Sequence, residues 1–484
     1  MKPVMHHVWK RLHQRLHRTP PPRPQRSHSG CADHVAVPPS PVAKRVPPTL
    51  LVSRLYQPSN LKDVGQDTRL SGEMSCRSQR LMQQAGLIHP SNPGCYYYLP
   101  ATVRSMEKLV RVIDQEMQGI GGQKLDMPSL CSADLWRTSE RWDLMGKELF
   151  CLKDRHGADY CLGPTHEEAV TTLVAHQAML SYKQLPLLLY QITRKFRDEP
   201  KPKFGLLRGR EFYMKDMYSF DMSEEAAYQT YESVIAAYHR VFARLGLRCI
   251  QVQADTGNIG GKLSHEFQLP ADIGEDRLLM CGSCSFSANV ETMTSDNNKC
   301  PACQTGILRE SKGIEVGHTF YLGQKYSHVF KANFINSQNK QSVVEMGCFG
   351  LGVTRILAAA IEVMSTDEGI RWPGLITPYQ VCVLLPKKGS KADEATASAE
   401  ELLHILGENL PQLRGEVVLD DRTQMTIGKR LKDAARLGYP YVIVVGQGAL
   451  EDSPRFEVIC QQTGEAMFLS KDGLLDLLGR VETV

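Results

Sequence analysis

The chain has 484 residues, with 57 Lys plus Arg against 53 Asp plus Glu, 42% apolar residues and fourteen cysteines. That length and apolar content suit roughly three domains with buried cores, and no run is long and apolar enough to cross a bilayer, which excludes a helical membrane protein and gives no membrane partner. The net charge of +4 is uneven: residues 1–50 hold nine Lys or Arg, six His, ten Pro and one acidic residue, Asp33, while the remaining 48 basic and 52 acidic residues sum to −4. Affinity for a polyanion must therefore come from local patches.

At the N-terminus, MKPVMHHVWKRLHQRLHR places Met5, Val8, Trp9, Leu12 and Leu16 on one helical face with a basic face opposite. It lacks the apolar centre of a secretory signal, so residues 1–50 read as a mitochondrial presequence, with a basic RNA-binding arm as the competing account. Residues 51–75 give no clear signal. A helical period covers 101–119, and GQKLDMPSL follows as a strand whose Pro128 suits an edge or a bulge. In LGPTHEE at 162–168, Thr165 and Glu167 put a hydroxyl and a carboxylate two residues apart, and the same letters fit a capping box that opens a helix.

The segment QITRKFRDEPKPKFGLLRGREFYMKDMYSF at 191–220 predicts two strands joined by a basic loop. Arg197 and Glu199, two apart in an extended chain, share a face, an anion reader beside an acceptor for an exocyclic amine. On the return strand Phe212 shares a face with Met214 and Asp216 and offers a ring on which a base can stack. Lys201, Lys203 and Arg208 in the loop suit a polyanion. A charged hairpin on a solvated face is the plain alternative.

Further on, Cys281, Cys284, Cys300 and Cys303 give C-x2-C-x15-C-x2-C, the spacing of a structural zinc ribbon or of one that has lost its metal. Four thiolates leave no open position for catalysis. The other cysteines are scattered and read as thiols. VVEMGCFGLGVTRILAAAIEVM at 343–364 reads as strand, glycine turn and helix, with Arg355 in the first helical turn, where a guanidinium can grip a terminal phosphate. From Pro378 strands and helices alternate, which argues for a separate α/β domain on a parallel or mixed sheet. Asp420, Asp421, Arg422 and Lys432 stand at a strand end and on the next helix, where they fit either a reader of unpaired bases or a salt-bridged surface.

The FRxE strand, the RxxxF return strand and the GxGxxR strand-helix resemble motifs 2 and 3 of class II aminoacyl-tRNA synthetases. LGPTHEE, SHEFQLPADIGED at 264–276 and KGIEVGHTFYLG at 312–323 resemble prolyl-tRNA synthetases in particular, of the bacterial type found in mitochondria. The resemblance runs from about Leu70 to Val484. It implies an α+β fold: an antiparallel class II sheet core with helices over residues 51–375, a small four-cysteine ribbon insert at about 278–310, and an α/β anticodon-binding domain over 376–484. It also implies a proline ligase that uses ATP and Mg2+, acts on tRNA(Pro) through a prolyl-adenylate in the mitochondrial matrix, and forms a homodimer through the strand at 122–130.

Roles follow residue by residue. Arg197 would hold the α-phosphate and the prolyl carboxylate, Glu199 the adenine amine, Phe212 the adenine face, and Arg208 and Arg355 the outer phosphates. Thr165 and Glu167 would receive proline's ammonium, whose two N–H donors match one hydroxyl and one carboxylate. Glu315 would lie near the ribose or Mg2+, and His318 beside the proline ring unless it is a satisfied structural histidine. Asp421, Arg422 and Lys432 would read the anticodon. Many bacterial relatives place a large editing domain between SHEFQL and KGIEVGH, where this chain has only about forty residues, so clearance of Ala-tRNA(Pro) in cis is not expected. A synthetase-like protein without catalysis, or a class II enzyme for another amino acid, are the rival readings.

Overall fold

The structure is a computed structural model that describes residues 49–58, 76–177, 180–284, 286–293 and 299–484. The presequence lies outside these residues except for its last two, Thr49 and Leu50. The strands that carry the architecture are β1 (Leu50–Leu51), β2 (Gln123–Lys124), β3 (Leu187–Phe196), β4 (Glu211–Asp221), β5 (Ile250–Gln253), β6 (Leu263–Pro270), β7 (Asp276–Cys281), β8 (Ser287–Asn289), β9 (Leu308–Gly323), β10 (Glu345–Gly352), β11 (Val381–Leu384), β12 (Val417–Asp420), β13 (Tyr441–Val444), β14 (Phe456–Cys460) and β15 (Ala466–Leu469). The main helices are α1 (Arg77–Gln84), α2 (Pro100–Gly119), α3 (Glu167–Ala175), α4 (Glu224–Arg244), α5 (Val353–Met364), α6 (Thr396–Asn409), α7 (Ile427–Leu437) and α8 (Lys471–Gly479).

A nine-stranded sheet runs in the order β6-β5-β8-β7-β9-β10-β4-β3-β2. Its pairings are antiparallel except β5 with β8 and β2 with β3. Side chains alternate across it. Phe349, Leu351 and Met217 point to a layer made by Leu109, Val112 and Ile113 of α2, Tyr231, Tyr238 and Val241 of α4, and Ile356 to Ile361 of α5, all buried. Among the described residues the opposite face is covered at one end, where Val170 and Val174 of α3 meet Tyr218, Phe220, Phe320 and Met346. The remainder of that face is free for a site.

The hairpin β3-β4 forms as its alternation predicts, in the register Phe196 to Glu211. β3 stops at Phe196, however, so Arg197 and Glu199 are not on a strand; Pro200 and Pro202 lack the amide a ladder needs. The glycine-rich run differs too. Gly347 and Gly350 lie within β10, and α5 starts directly after it at Val353, with no separate turn. The expected strand around Pro128 shrinks to Gln123–Lys124, and Pro128 uses its carbonyl to accept from His166 Nε2 at 3.0 Å.

The C-terminal sheet is mixed, in the order β1-β12-β11-β13-β14-β15. Thr426 caps α7 and Gly438, in the left-handed region, ends it. β1 belongs to this sheet, not to the leader or the catalytic region that the boundary at 50 and 51 assigned it to. The two sheets are joined through α2. Lys108, 1% exposed, pairs with Glu416 at 2.5 Å and donates to the Thr377 carbonyl, while Arg104 holds Glu416 and the Gly415 carbonyl. Burial lowers the Lys108 pKa against the pull of Glu416.

Candidate functional site

On the free face the ladder sets side chains in rows. Glu266, His318, Gly350, Asp216 and Gln191 are successive neighbours across β6, β9, β10, β4 and β3. The next row is Ser264, Phe320, Cys348, Tyr218 and Leu189, and on the other side come Gly352, Met214 and Thr193, then Phe212 and Lys195. Gly350 has no side chain to obstruct this floor: a Cβ there would have only Met214 Sδ and the His318 carbonyl at 3.8 Å. One residue breaks the period. β9 has a bulge against β6, where Phe267 meets Gly317 but Gln268 meets Glu315, so Val316 is the extra residue. Glu315 and His318, three apart, thereby reach the same face.

A buried polar network supports the inner end. Asp216 is 1% exposed and pairs with Lys195 Nζ at 2.6 Å. It also accepts from Gln191 Nε2 and the Tyr218 hydroxyl, both at 2.9 Å. Burial alone would raise its pKa; Lys195 and His166 outweigh that and hold it below the usual carboxylate range. Tyr218 in turn accepts the His166 backbone N–H at 2.8 Å and meets Thr165 Oγ1 at 3.3 Å.

Thr165 then donates to the Glu167 carboxylate at 2.7 and 2.8 Å. The capping box is not realised, since α3 begins after His166, whose side chain makes no cap. Glu167 is fully buried and also accepts from Cys348 Sγ at 3.1 Å and from Arg141 at 3.0 Å. Arg141, itself 1% exposed, bonds Glu168 at 2.9 Å and lies over the Trp136 ring. Burial opposes both carboxylates. Arg141, Cys348 and Thr165 keep the Glu167 pKa low, whereas Glu168, beside that charge, is raised.

At the outer end Arg197 stands 5.5 Å from the Phe212 ring centroid. Burial and the neighbouring Arg355 lower its pKa, with Glu315 and Glu167 acting in the other direction. Among the described residues no carboxylate lies within ion-pairing distance of Arg197, so its charge is uncommitted. Arg355, in the first turn of α5, donates to the Leu207 carbonyl, the Glu315 carbonyl and the Glu315 carboxylate at 2.9 to 3.0 Å. Glu199 pairs with Arg208 at 3.0 Å, and Arg208 also holds Glu275, which pairs with Lys203 as well. Both nitrogens of His318 have partners, Ser264 Oγ at 2.6 Å and Glu315 at 3.1 Å, and its ring stacks on Phe320 at 4.0 Å. It is thus a satisfied histidine with its edge at the site.

Two groups of side chains could hold a metal ion. Cys281, Cys284, Cys300 and Cys303 bring their sulfurs within 4.8 Å of one another, with closest pairs at 3.6 and 3.7 Å. Thiolates on a tetrahedral zinc, about 2.3 Å from it, would be spaced similarly. The second group is Glu266, Glu315 and His318, whose two carboxylates suit a hard cation. Sequence reasoning missed Glu266, Arg141, Cys348 and Tyr218. Only Tyr218 had a local signal, as the next same-face residue after Asp216.

The C-terminal candidates are less open than expected. Asp421 accepts from Ser53, and Arg422 is held by Asp420 at 2.7 Å and by Asp433 at 3.0 Å, the salt-bridged alternative. Lys432 is exposed. Away from the sheet face, a cleft of about 2460 Å3 lies between α2, the hairpin at 88–98 and the basic loop, with Tyr97 and Val103 exposed.

The charge balance at the outer end is testable. Burial would raise the Glu315 pKa, but His318, Arg355 and Arg197 hold it at about 2 against an ordinary 4.5. A depressed carboxylate pKa contributes stability that is present above the ordinary value and lost as pH falls through the folded one. Urea unfolding between neutral pH and pH 3 is expected to show a shallower acid loss for Glu315→Gln than for the parent. Equal slopes would contradict this assignment.

Residues 150–364 match a family model described as the tRNA synthetase class II core domain (G, H, P, S and T), and residues 380–478 an anticodon binding domain. A human protein named probable proline–tRNA ligase, mitochondrial, is 63% identical over 437 residues, which cover 90% of this chain and 92% of that protein. The Schizosaccharomyces pombe protein of the same name is 41% identical over 405 residues, covering 83% and 93%. A proline–tRNA ligase of Oleidesulfovibrio alaskensis is 33% identical over 551 positions, covering 82% of this chain and 93% of its own length. Among solved structures, Giardia lamblia prolyl-tRNA synthetase in complex with prolyl-adenylate shares the fold at a TM-score of 0.68 and 20% identity, with 82% of this chain and 76% of that chain covered.

Proposed function

The chain belongs to the class II prolyl-tRNA synthetase family, and we propose that the residues on its open sheet face divide the work of that reaction between an amine pocket and a phosphate rim. It ligates L-proline to tRNA(Pro) with ATP, through a prolyl-adenylate, for translation in mitochondria. The carboxylate of proline attacks the α-phosphorus, pyrophosphate leaves, and a terminal ribose hydroxyl of the tRNA then takes the prolyl group from the adenylate. No enzyme nucleophile is required, so catalysis is positioning and charge neutralisation.

The observation that carries the assignment is the uncommitted charge of Arg197, between the Thr165–Glu167 pair and the Glu315–Arg355 pair. In this reading Arg197 bridges the prolyl carboxylate and the α-phosphate, the two anions that must meet. Thr165 and Glu167 take the two N–H donors of the ammonium, with Arg141 and Cys348 keeping Glu167 ionised. Phe212 stacks on adenine. Glu199 and Arg208 exchange their mutual pair for the adenine amine and an outer phosphate, and Arg355 binds the other outer phosphate. His318 walls the proline ring. The carboxylates of Glu266 and Glu315 would hold Mg2+, which would supply positive charge against the phosphates.

Proline-dependent ATP–pyrophosphate exchange is expected to fall about a hundredfold or more in Arg197→Ala, the loss typical of an oriented charge in a dry site. Retained exchange in that variant would sink the assignment.

The four cysteines are read as a structural zinc site, the segment at 122–130 as the seam of a homodimer, and the β12–α7 loop as the anticodon reader. Native mass spectrometry is expected to give two chains with one zinc each. A monomer would contradict the dimer, and a metal-free dimer the zinc.

The chain is also read as lacking cis-editing. Its alignment with the Oleidesulfovibrio relative spans 551 positions, more than its own 484 residues, so that relative holds sequence this chain does not. Alanine fits a proline pocket, which rejects a missing methylene by only ~1 to 3 kcal/mol. Ala-tRNA(Pro) is therefore expected to persist with the purified protein at its spontaneous hydrolysis rate. Hydrolysis well above that rate would refute the reading.

A further inference from the structure

The segment from Leu50 to Pro58 precedes the catalytic region in sequence yet is built into the C-terminal domain. Leu50 and Leu51 pair in parallel with Val418 and Leu419 of β12. Their side chains alternate. Leu50, Val52 and Leu55 join the core under α7 with Val418, Ala434 and Tyr439, and Leu51 joins the opposite core with Val381 and Leu419. The edge of β12 is thus covered, and the strap is held on both faces of the sheet.

Where the strap turns off the sheet, Ser53 meets Asp421, the first residue after β12. The Ser53 backbone N–H donates to Oδ1 at 3.0 Å and its hydroxyl to Oδ2 at 2.6 Å. Each carboxylate oxygen keeps lone pairs for a further donor, such as the exocyclic amine of a base. Partial burial would raise the Asp421 pKa, and the two bonds from Ser53 outweigh it, so the group stays ionised. Beyond Leu55 the strap reaches the catalytic region, where Gln57 Nε2 donates to the Ala85 carbonyl at 3.0 Å, just after α1.

We propose that Ser53 is a positioning residue for tRNA recognition, which holds the Asp421 carboxylate in one orientation at the start of the β12–α7 loop. The strap is therefore a working part of the tRNA-reading domain. This rests on reading that loop as the anticodon site, and adds a residue some 370 positions away that no local pattern connects to it.

The test uses the full chain and two assays, aminoacylation of tRNA(Pro) and proline-dependent pyrophosphate exchange, which needs no tRNA. Ser53→Ala is expected to raise KM for tRNA(Pro) about tenfold, the scale of one hydrogen bond to a charged group, with kcat and exchange unchanged. Ser53→Thr, which keeps the hydroxyl, is expected to restore KM. If Asp421→Asn raises KM and Ser53→Ala does not, the positioning role is overturned while the loop remains the reader. If neither changes KM, the anticodon reading of the loop fails and takes the proposal with it. A parallel fall in exchange for Ser53→Ala would reduce Ser53 to a folding role and overturn the proposal.

Discussion

The ion pair of Lys195 with Asp216 is the constraint on which the placing of Thr165 and Glu167 depends. A lone carboxylate in a dry sheet face would take up a proton, whereas one whose Oδ1 is paired with Lys195 and whose Oδ2 accepts from Gln191 and Tyr218 remains charged. Because Asp216 takes the proton of Tyr218 and Glu167 that of Thr165, the Tyr218 hydroxyl accepts from the His166 N–H and lies against Thr165 Oγ1 at 3.3 Å. The chain entering α3 is thereby fixed, and Thr165 is brought to Glu167. Arg141 supplies the opposite restraint, holding two adjacent buried carboxylates that would otherwise repel.

At the phosphate end the cations are held by carboxylates of the site itself, Arg208 by Glu199 and Glu275, Arg355 by Glu315. On the proposed reading, ligand binding there would exchange one partner for another, with less reorganisation than pulling long side chains out of water. Arg197 lies over the Phe212 ring at 5.5 Å, without an ion-pair partner among the described carboxylates. The helix α2, through Lys108 and Arg104, fastens the C-terminal domain to the helix layer of the nine-stranded sheet.

Much of this was legible because it is periodic or local. The alternation of 191–196 and 211–220 forecast β3, β4 and the shared face of Phe212 and Asp216; the helical spacing of 353–364 forecast α5 and the place of Arg355. The four cysteines do meet, as their spacing predicted. What escaped was set by tertiary packing. Arg141 sits in a five-residue helix and meets Glu167 from 26 positions away, with no pattern to join them. Ser53 finds Asp421 only because β1 adds to a sheet made by the other end of the chain. The capping box failed for a related reason: Thr165 had a stronger partner in a buried carboxylate than in a helix amide.

The bulge at Val316 has a consequence of its own. A strand is read two residues at a time, so one extra residue works like a frameshift: upstream of it odd positions face the site, downstream even ones. Substitutions along KGIEVGH change one contact each, but a change in length by a single residue there would rotate Glu315 into the helix layer and expose Ile314 in its place. Indels in this stretch are thus filtered by sheet geometry before chemistry is ever consulted.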